Sequence, residues 1–138
     1  DHVRLTGPSA TDFAGQVDRT RTLLENILGH DSFLLRPPYG MIDRGVELRA
    51  GAPIILWSVD PEDWRDRDTA REVSHILSQA RDGSIVLLHD IYPESVEAAL
   101  QVVDALHQEG YLFCTVEELF SARMIPLKDG EVYRSAYP

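Results

Sequence analysis

The stretch SIVLLHD (84–90) joins an uninterrupted apolar run to a histidine and an aspartate. A short apolar run between polar residues is typical of a strand that is buried on both faces, as in a parallel sheet. Gly83 precedes the run, and apolar residues at helical spacing lie on each side of it. The stretch therefore predicts a strand over 84–89 in an alternating strand–helix fold, with His89 and Asp90 at its carboxyl end.

The same alternation extends along most of the chain. Apolar runs predict further strands at 33–35, 54–59 and 111–116. Apolar residues at helical spacing, with glycines as stop signals and capping boxes at Thr69–Glu72 and Thr115–Glu118, predict the helices. These helices span 13–28, 42–51, 69–83, 93–110 and 116–123. The first is expected to carry one apolar face: Phe13, Val17, Leu23, Leu24, Ile27 and Leu28.

Continuous apolar strands that alternate with amphipathic helices predict an α/β fold, in which helices cover parallel strands. In such folds the chemistry lies at the carboxyl ends of the strands. The tail from 124 to 138 departs from the alternation, and its Asp129-Gly130 pair predicts the turn of a small hairpin.

The composition narrows the range of partners. The chain has 138 residues, of which 43% are hydrophobic and 26% charged, and its net charge is −10. Such a negative charge argues against nucleic acid and anionic membranes, and it favours a neutral or cationic ligand. No apolar run approaches the length that spans a membrane. The single cysteine, Cys114, lies in an apolar run and is expected to be buried.

Reactive side chains follow three successive predicted strands. Arg36-Pro37-Pro38-Tyr39-Gly40 comes after the first, Asp60-Pro61-Glu62-Asp63-Trp64 after the second, and His89-Asp90 ends the third. Because the carboxyl ends of parallel strands meet at one edge, we expect Arg36, Asp63 and His89 to share one rim. The prediction also places His2 on this rim, on the ground of the resemblance described below. An arginine, carboxylates, a histidine and a tryptophan together suit acid–base chemistry on an uncharged, ring-shaped substrate.

Each of these features also has a purely structural interpretation. The Pro-Pro and Gly of 36–40 punctuate rigid turns, Asp63 has a residue type that caps helices, and His89 has the position of a core histidine. Trp57 lies within a predicted strand and is interpreted as core, whereas Trp64 lies in a polar loop. The remaining histidines lie on or next to helices and are interpreted as solvated: His30, His75 and His107.

In combination, the three stretches resemble polysaccharide deacetylases, carbohydrate esterase family four. RPPYG (36–40) resembles the third motif of that family, DPEDW (60–64) the fourth and IVLLHD (85–90) the fifth. The resemblance covers residues 1–123 and implies parallel strands with covering helices, part of a distorted, incomplete (β/α) barrel. The order and combination of the motifs, rather than any one of them, make the resemblance specific.

The resemblance also gives the second residue of the chain a role. The family's second motif is a histidine pair separated by three residues, and His2-Val3-Arg4-Leu5-Thr6 resembles its second half. His2 is therefore expected to be one ligand of a divalent metal, zinc by family resemblance. The first motif, a pair of aspartates, has no counterpart here. The chain thus resembles the C-terminal portion of the catalytic domain, with an incomplete metal site, and the absent segment or a second copy is its expected partner.

The resemblance implies further roles in the hydrolysis of N-acetyl groups on an amino-sugar polymer, peptidoglycan or chitin-like. His89 would be the general acid, Asp63 would hold it charged, and Arg36 would orient the absent catalytic aspartate. The backbone N–H of Tyr39 would stabilise the oxyanion. The acetyl pocket would be walled by Trp64 and Leu87. Asp90 would bond backbone beside the site, and Asp60 would shape the turn.

An extracellular or cell-surface location follows from the same resemblance. Two other functions stay open on the sequence alone. One is a barrel glycosidase with paired carboxylates drawn from Asp60, Asp63 and Asp90, which would leave Arg36 and His89 without a role. The other is a non-catalytic carbohydrate-binding relative.

Overall fold

The computed structural model describes residues 2–7 and 12–138, and the chain forms two compact units. The first unit comprises Asp1–Leu56 with Leu127–Tyr133, and the second comprises Trp57–Pro126 with Arg134–Pro138. This division differs from the expected one, 1–123 and a separate tail 124–138. The reason is that the tail contributes one segment to each unit.

The first unit contains two helices, a 3₁₀ turn and a pair of strands. Helix α1 spans Phe13–Leu28, the 3₁₀ turn Pro38–Gly40, helix α2 Arg44–Arg49, strand β1 Ile54–Ile55 and strand β2 Val132–Tyr133. Helix α1 ends as expected, because Gly29 takes the left-handed conformation that stops a helix. Its core is one cluster of buried apolar side chains: Leu5, Phe13, Val17, Val46, Ala50 and Ile54.

Strand β2 corrects the predicted hairpin. It pairs in parallel with β1, with Ile54 opposite Val132 and Ile55 opposite Tyr133. Leu35 bridges the other side of Ile54, also in parallel. The Asp129-Gly130 turn therefore directs the tail into a parallel sheet, because the free edge of β1 lies within its reach and offers backbone partners.

The apolar face of α1 is buried only in its first half. Phe13 and Val17 enter the core, whereas Leu23, Leu24, Ile27 and Leu28 are exposed. The predicted apolar face is therefore only partly used by the core, since these four leucine and isoleucine side chains lie outside it. The second half of the helix extends past the core cluster into which its first half packs.

The second unit contains four helices. Helix α3 spans Asp63–Asp66, α4 Thr69–Gln79, α5 Pro93–Gln108 and α6 Val116–Ala122. Helices α4 and α5 pack against each other. Their core contains Val59, Ile76, Val102 and Leu106. In the part of the chain that the structure describes, no helix is long and apolar enough to cross a membrane.

The strands predicted at 54–59 and 84–89 are shorter than expected. Val59 and Val86 form a parallel bridge, and Ser84 forms an antiparallel bridge with Ser135. The N–H of Leu87 donates to the Val59 carbonyl over 3.0 Å. The pairing between the two runs is parallel, as expected, but it is limited to the single Val59–Val86 bridge, and Ser84 pairs in the antiparallel direction with the tail.

Capping at the two predicted boxes has different outcomes. Thr115 and Glu118 form the full reciprocal box at the start of α6, as expected. At α4 the cap is Asp68, whose carboxylate accepts from the N–H of Arg71. The Thr69 hydroxyl instead donates to the carbonyl of Glu94 over 3.1 Å. The predicted Thr69–Glu72 box is therefore wrong, because Asp68 occupies the N-cap position and provides a charged acceptor, while Thr69 is the first residue of the helix.

The segment 111–116 does not form the predicted strand. Residues 111–115 take no regular structure, and Leu112 is 87% exposed. Cys114 is exposed, which contradicts its expected burial. A strand forms only where a second segment supplies backbone partners, and none of the described residues pairs with this one.

A substitution at Gly83 can test the contact between this residue and Ala136 of the C-terminal tail. Its φ is 88°, and an added Cβ would collide with the backbone carbonyl of Ala136. Gly110 has a similar φ of 90° but open space around it. We expect Gly83→Ala to destabilise the intact protein by more than the roughly 1–2 kcal/mol of left-handed strain that Gly110→Ala should cost. Equal losses in urea unfolding would show that the Ala136 contact is unimportant.

Candidate active site

The Asp63–His89 pair is the best-defined polar cluster in the second unit. The His89 ring atom Nδ1 lies 2.7 Å from Asp63 Oδ1, and the His89 backbone N–H donates to Asp63 Oδ2 over 2.6 Å. Asp63 is fully buried, and the His89 side chain is 32% exposed. Because a carboxylate only accepts hydrogen bonds, Nδ1 carries the proton in this pair. Both contacts fix the ring, and Nε2 is left free of Asp63.

A tight turn brings Asp63 into the interior. Asp60 Oδ1 accepts from the N–H of Glu62 over 2.9 Å, and Asp60 Oδ2 accepts from Trp57 Nε1 over 3.0 Å. Glu62 has a φ of 52°, which reverses the chain immediately before α3 begins at Asp63. Asp60 therefore shapes this turn, as expected. Trp57 is half-buried rather than core, because its indole nitrogen bonds within the turn.

Burial and hydrogen bonding act in opposite directions on the pKa of Asp63. Burial alone would raise the pKa, but the hydrogen bonds from the ring and backbone N–H of His89 lower it below its ordinary value of 3.8. The buried Ser95 hydroxyl acts in the same direction as His89. Asp63 is therefore an anion at neutral pH, directly against the histidine ring.

The residues around the pair differ in exposure. Leu87 is buried and Trp64 is half exposed, which is compatible with the wall positions predicted for them. Asp90 is exposed. The three histidines that were interpreted as solvated are indeed exposed: His30, His75 and His107.

In the first unit, the turn at Pro37–Gly40 holds Tyr39 in an uncommon backbone conformation. Tyr39 has φ 61° and ψ 9°, and Gly40 also has a positive φ. The Gly40 N–H donates to the Pro37 carbonyl over 3.0 Å. A bulky residue in the left-handed region costs on the order of 1 kcal/mol, and such outliers concentrate at functional sites. Within the described ranges, the Tyr39 N–H has no assigned acceptor and is available to a ligand.

Tyr39 also connects the turn to the start of the chain. Its hydroxyl donates to the backbone carbonyl of His2 over 3.1 Å, and the two rings meet edge to face at 4.6 Å. Arg36 is exposed, and no ion pair is assigned to it within residues 2–7 and 12–138. The first unit thus brings His2 and Tyr39 together, and the second brings Asp63 and His89 together. A common rim for all of these residues stays a prediction.

The metal site is not complete in the described residues. Within 2–7 and 12–138, no group of three or more His, Cys, Asp or Glu side chains lies close enough together to hold a metal ion. His2 is exposed and offers one imidazole. A zinc site needs at least three protein ligands, so these residues by themselves do not fit the ion.

Two buried polar residues of the second unit were not predicted as part of a site. Glu72 and Ser95 are both fully buried, and Ser95 lies beside Asp63. Glu72 was interpreted as half of a capping box. Ser95 lies in the first turn of α5, two residues after Pro93, and belongs to no recognisable motif. Only the packing of α4 on α5 reveals them, so the sequence carries no signal for either.

Comparison with known proteins gives consistent matches along nearly the whole chain. No family model matches it. The chain is 38% identical over 118 residues to the peptidoglycan-N-acetylmuramic acid deacetylase PdaC of Bacillus subtilis, and 35% identical over 124 residues to the peptidoglycan-N-acetylglucosamine deacetylase PgdA of Listeria monocytogenes. These matches cover 86% and 90% of the chain but only 25% and 27% of the relatives. The chain thus spans about a quarter of their length.

Solved structures agree with these relatives. A structure described as T48 deacetylase with substrate has a TM-score of 0.86 at 35% identity, covering 96% of this chain and 66% of that one. The structure of Bacillus subtilis PdaC has a TM-score of 0.84 at 36% identity, covering 90% and 61%. The expected fold class is therefore confirmed: parallel strands with covering helices, part of a distorted, incomplete (β/α) barrel.

Proposed function

The chain belongs to the polysaccharide deacetylases of carbohydrate esterase family four, and we propose that it forms part of an enzyme that removes N-acetyl groups from an amino-sugar polymer. The matched relatives from Bacillus subtilis and Listeria monocytogenes are peptidoglycan deacetylases, which supports a cell-wall polymer as the substrate. The observation that carries the proposal is the buried Asp63 carboxylate, which contacts both the ring Nδ1 and the backbone N–H of His89.

His89 is proposed as the general acid. Asp63 holds Nδ1–H and stabilises the protonated ring, so Nε2 can donate its proton to the departing nitrogen. In amide hydrolysis the carbon–nitrogen bond breaks, water supplies the oxygen of the new acetate, and the amine leaves only after it has gained a proton.

The first unit is proposed to stabilise negative charge. The unused N–H of Tyr39 would donate to the oxygen that becomes negative as the acetyl carbon turns tetrahedral. The strained turn fixes this donor in advance, which avoids reorganisation during the reaction. Arg36 is proposed to orient a catalytic aspartate of the same domain. Trp64 and Leu87 are proposed to wall the acetyl pocket.

Polysaccharide deacetylases are metalloenzymes, and His2 is proposed as one protein ligand of the metal. Imidazole nitrogen is a ligand that zinc accepts readily, which supports zinc as the ion. The remaining ligands would come from a further segment of the catalytic domain or from a second copy. Peptidoglycan lies outside the cell membrane, so an extracellular or cell-surface location accompanies the proposed substrate.

The two alternative functions fit the geometry less well. A glycosidase would need two carboxylates that are free to act on a sugar, but Asp60 is used in the turn and Asp63 is buried against His89. A binding protein without activity would have no need to hold a histidine, by both its ring and its backbone N–H, on a buried carboxylate. The deacetylase is therefore the better-supported function.

An acetate-release assay on the intact protein tests the proposal. N-acetylated peptidoglycan, chitin oligomers and acetyl-xylan serve as the three substrates, and mass spectrometry identifies the product. We expect a loss of one acetyl mass per modified sugar on peptidoglycan, with a free amine left behind. Release from acetyl-xylan alone would assign an O-esterase activity instead, and cleavage of the glycan backbone would assign a glycosidase.

A further inference from the structure

Arg67 is stacked on an aromatic ring close to the proposed general acid. It follows α3 with φ 54° and ψ 43°, in the left-handed region that residues other than glycine rarely adopt. In this conformation its guanidinium carbon lies 4.4 Å from the centroid of the Tyr92 ring. The Tyr92 ring centroid in turn lies 6.4 Å from that of His89. Strained backbone concentrates at functional sites, so this placement calls for a functional explanation.

The two acids that flank Arg67 in the sequence are used by another arginine. Asp66 forms an ion pair with Arg71, and Asp68 caps α4 by accepting from the backbone N–H of Arg71. Arg67 is exposed, and no ion pair is assigned to it in the described part of the chain. Its guanidinium is therefore a cation whose nearest acids in sequence are already engaged.

The overall charge of the chain makes such a cation informative. The net charge is −10, which disfavours an anionic ligand unless a local cation offsets it. Asp90 and Glu94 lie two residues before and two residues after Tyr92, and they add negative charge to the same region. A substrate group that is itself negative therefore needs a specific positive contact to bind here, and Arg67 can supply one.

The stack on Tyr92 suits the recognition of a carboxylate. The face of a guanidinium packs on the ring, whereas its N–H groups point outward in the plane and match the two oxygens of a carboxylate. Two parallel charge-assisted hydrogen bonds of this kind are stronger than neutral ones. Because the ring restrains the long side chain in advance, less conformational entropy is lost when a ligand binds.

We propose that Arg67, oriented by Tyr92, binds a carboxylate of the substrate and thereby selects acidic glycans over neutral ones. Peptidoglycan offers carboxylates of two kinds: the lactyl group of muramic acid where no peptide is attached, and the acidic groups of the attached peptides. Both present the same chemistry to a guanidinium. This specificity rests on the proposed function, because it belongs to the site around His89. Arg67 takes no part in the proton transfer.

Matched substrates with and without the carboxylate test the proposal on the intact protein. Peptide-free glycan oligomers with free lactyl groups are compared with the same oligomers after amidation, which removes the charge and nearly preserves the shape. We expect Arg67→Gln to raise KM for the charged oligomers by about tenfold or more, the usual effect of losing hydrogen bonds to a charged group. Its kcat on them, and its KM on the amidated oligomers, should stay within about twofold of wild type.

Arg65→Gln is the matched control. Arg65 lies on the same segment, is exposed and is paired with Glu62, so its loss should leave the preference for charged oligomers unchanged. Oligomers that carry peptides identify the source of the carboxylate. An effect of Arg67→Gln on peptide-free oligomers assigns the carboxylate to muramic acid, and an effect confined to peptide-bearing oligomers assigns it to the peptide.

Two further variants separate a binding role from a structural one. Arg67→Lys keeps the charge without the planar fork and should recover part of the loss in Arg67→Gln. Tyr92→Leu removes the ring and should raise KM on the charged oligomers alone. Unfolding is measured in parallel. Equal changes in KM on charged and amidated oligomers, or no change on either, would overturn the proposal and leave the stack as a contact that only fastens α3 to α5.

Equilibrium binding separates this proposal from the proposed function. In a His89→Ala background, Arg67→Gln should weaken the binding of charged oligomers by about tenfold and reduce its dependence on salt. If binding depends on Arg67 although the intact protein releases no acetate, the carboxylate site stands and the deacetylase function fails. If acetate is released and Arg67→Gln alters neither binding nor KM, the function stands and the carboxylate site fails.

Discussion

Alanine in place of His89 is expected to lower the kcat of the intact deacetylase by about 10²–10⁴-fold, which is the usual contribution of a general acid. KM should stay near its wild-type value, because the proton reaches the leaving nitrogen mainly in the transition state. Asp63 is buried behind Nδ1 and does not engage Nε2, which gives this ring the geometry of a proton donor.

The matched control for that substitution is His75→Ala. His75 is exposed on α4 in the same unit, so its removal changes the histidine content without reaching the pair. Steady-state kinetics on an N-acetylated substrate, with unfolding measured in parallel, separate catalysis from folding. An unchanged kcat in His89→Ala would remove this residue from the reaction. A fall in kcat accompanied by an equal rise in KM would assign it to substrate binding.

Local signals in the sequence were sufficient for most helices. The glycine at 29 and the Thr115–Glu118 box act on the adjacent turn, so the ends they predict for α1 and α6 agree with the structure to within about a residue. The helix that follows Pro93 is likewise present. Where two local signals compete, as Asp68 and Thr69 do at the start of α4, spacing alone does not decide which residue becomes the cap.

Strands were harder to predict because they depend on a partner from elsewhere in the chain. The apolar run 54–59 finds its partners at 35, at 86 and in the tail, and the last of these is separated from it by more than 70 residues. The equally apolar run 111–116 finds none among the described residues. The pattern of apolar residues identifies a segment that is suited to form a strand, but it does not show whether another segment is present to pair with it.

Some residues of the candidate site could be predicted from the sequence, whereas others could not. The motif residues Asp63 and His89 were recognised from their order along the chain, and their contact is seen in the second unit. The positive φ at Tyr39 and Glu62 was not foreseen, since non-glycine residues rarely adopt it. The burial of Glu72 could not be predicted, because a glutamate in the first turn of a helix is usually exposed.

The 138-residue chain by itself is expected to show no deacetylase activity and to bind less than one zinc ion per chain. His2 is the one residue proposed as a metal ligand, and no cluster of three possible ligands occurs within residues 2–7 and 12–138. One imidazole cannot hold zinc against water, because stable sites use at least three protein ligands. The solved deacetylase chains are longer, since this chain covers 66% and 61% of two of them.

Exposed apolar surface in each unit gives an independent reason to expect that the 138-residue chain is inactive by itself. In the first unit, the second half of α1 exposes four large apolar side chains. In the second, Leu112 and Phe113 are exposed in a segment with the composition of a strand. Surfaces of this kind usually contact another segment, and unpaired strand-like segments tend to acquire a partner. We propose that the rest of the catalytic domain covers both surfaces and supplies the missing ligands.

The measurement compares the isolated chain with the intact protein. Acetate release, zinc content per chain and mass spectrometry for co-purifying fragments are determined on the same preparations. Adding the remaining segment of the domain as a separate polypeptide should restore zinc binding and activity together, because both need the same ligands. His2→Ala in the restored complex should lower zinc content again, whereas His30→Ala, at an exposed histidine of the same unit, should not. Full activity of the isolated chain with one zinc ion bound and no second polypeptide would show that its ligands lie elsewhere than at His2.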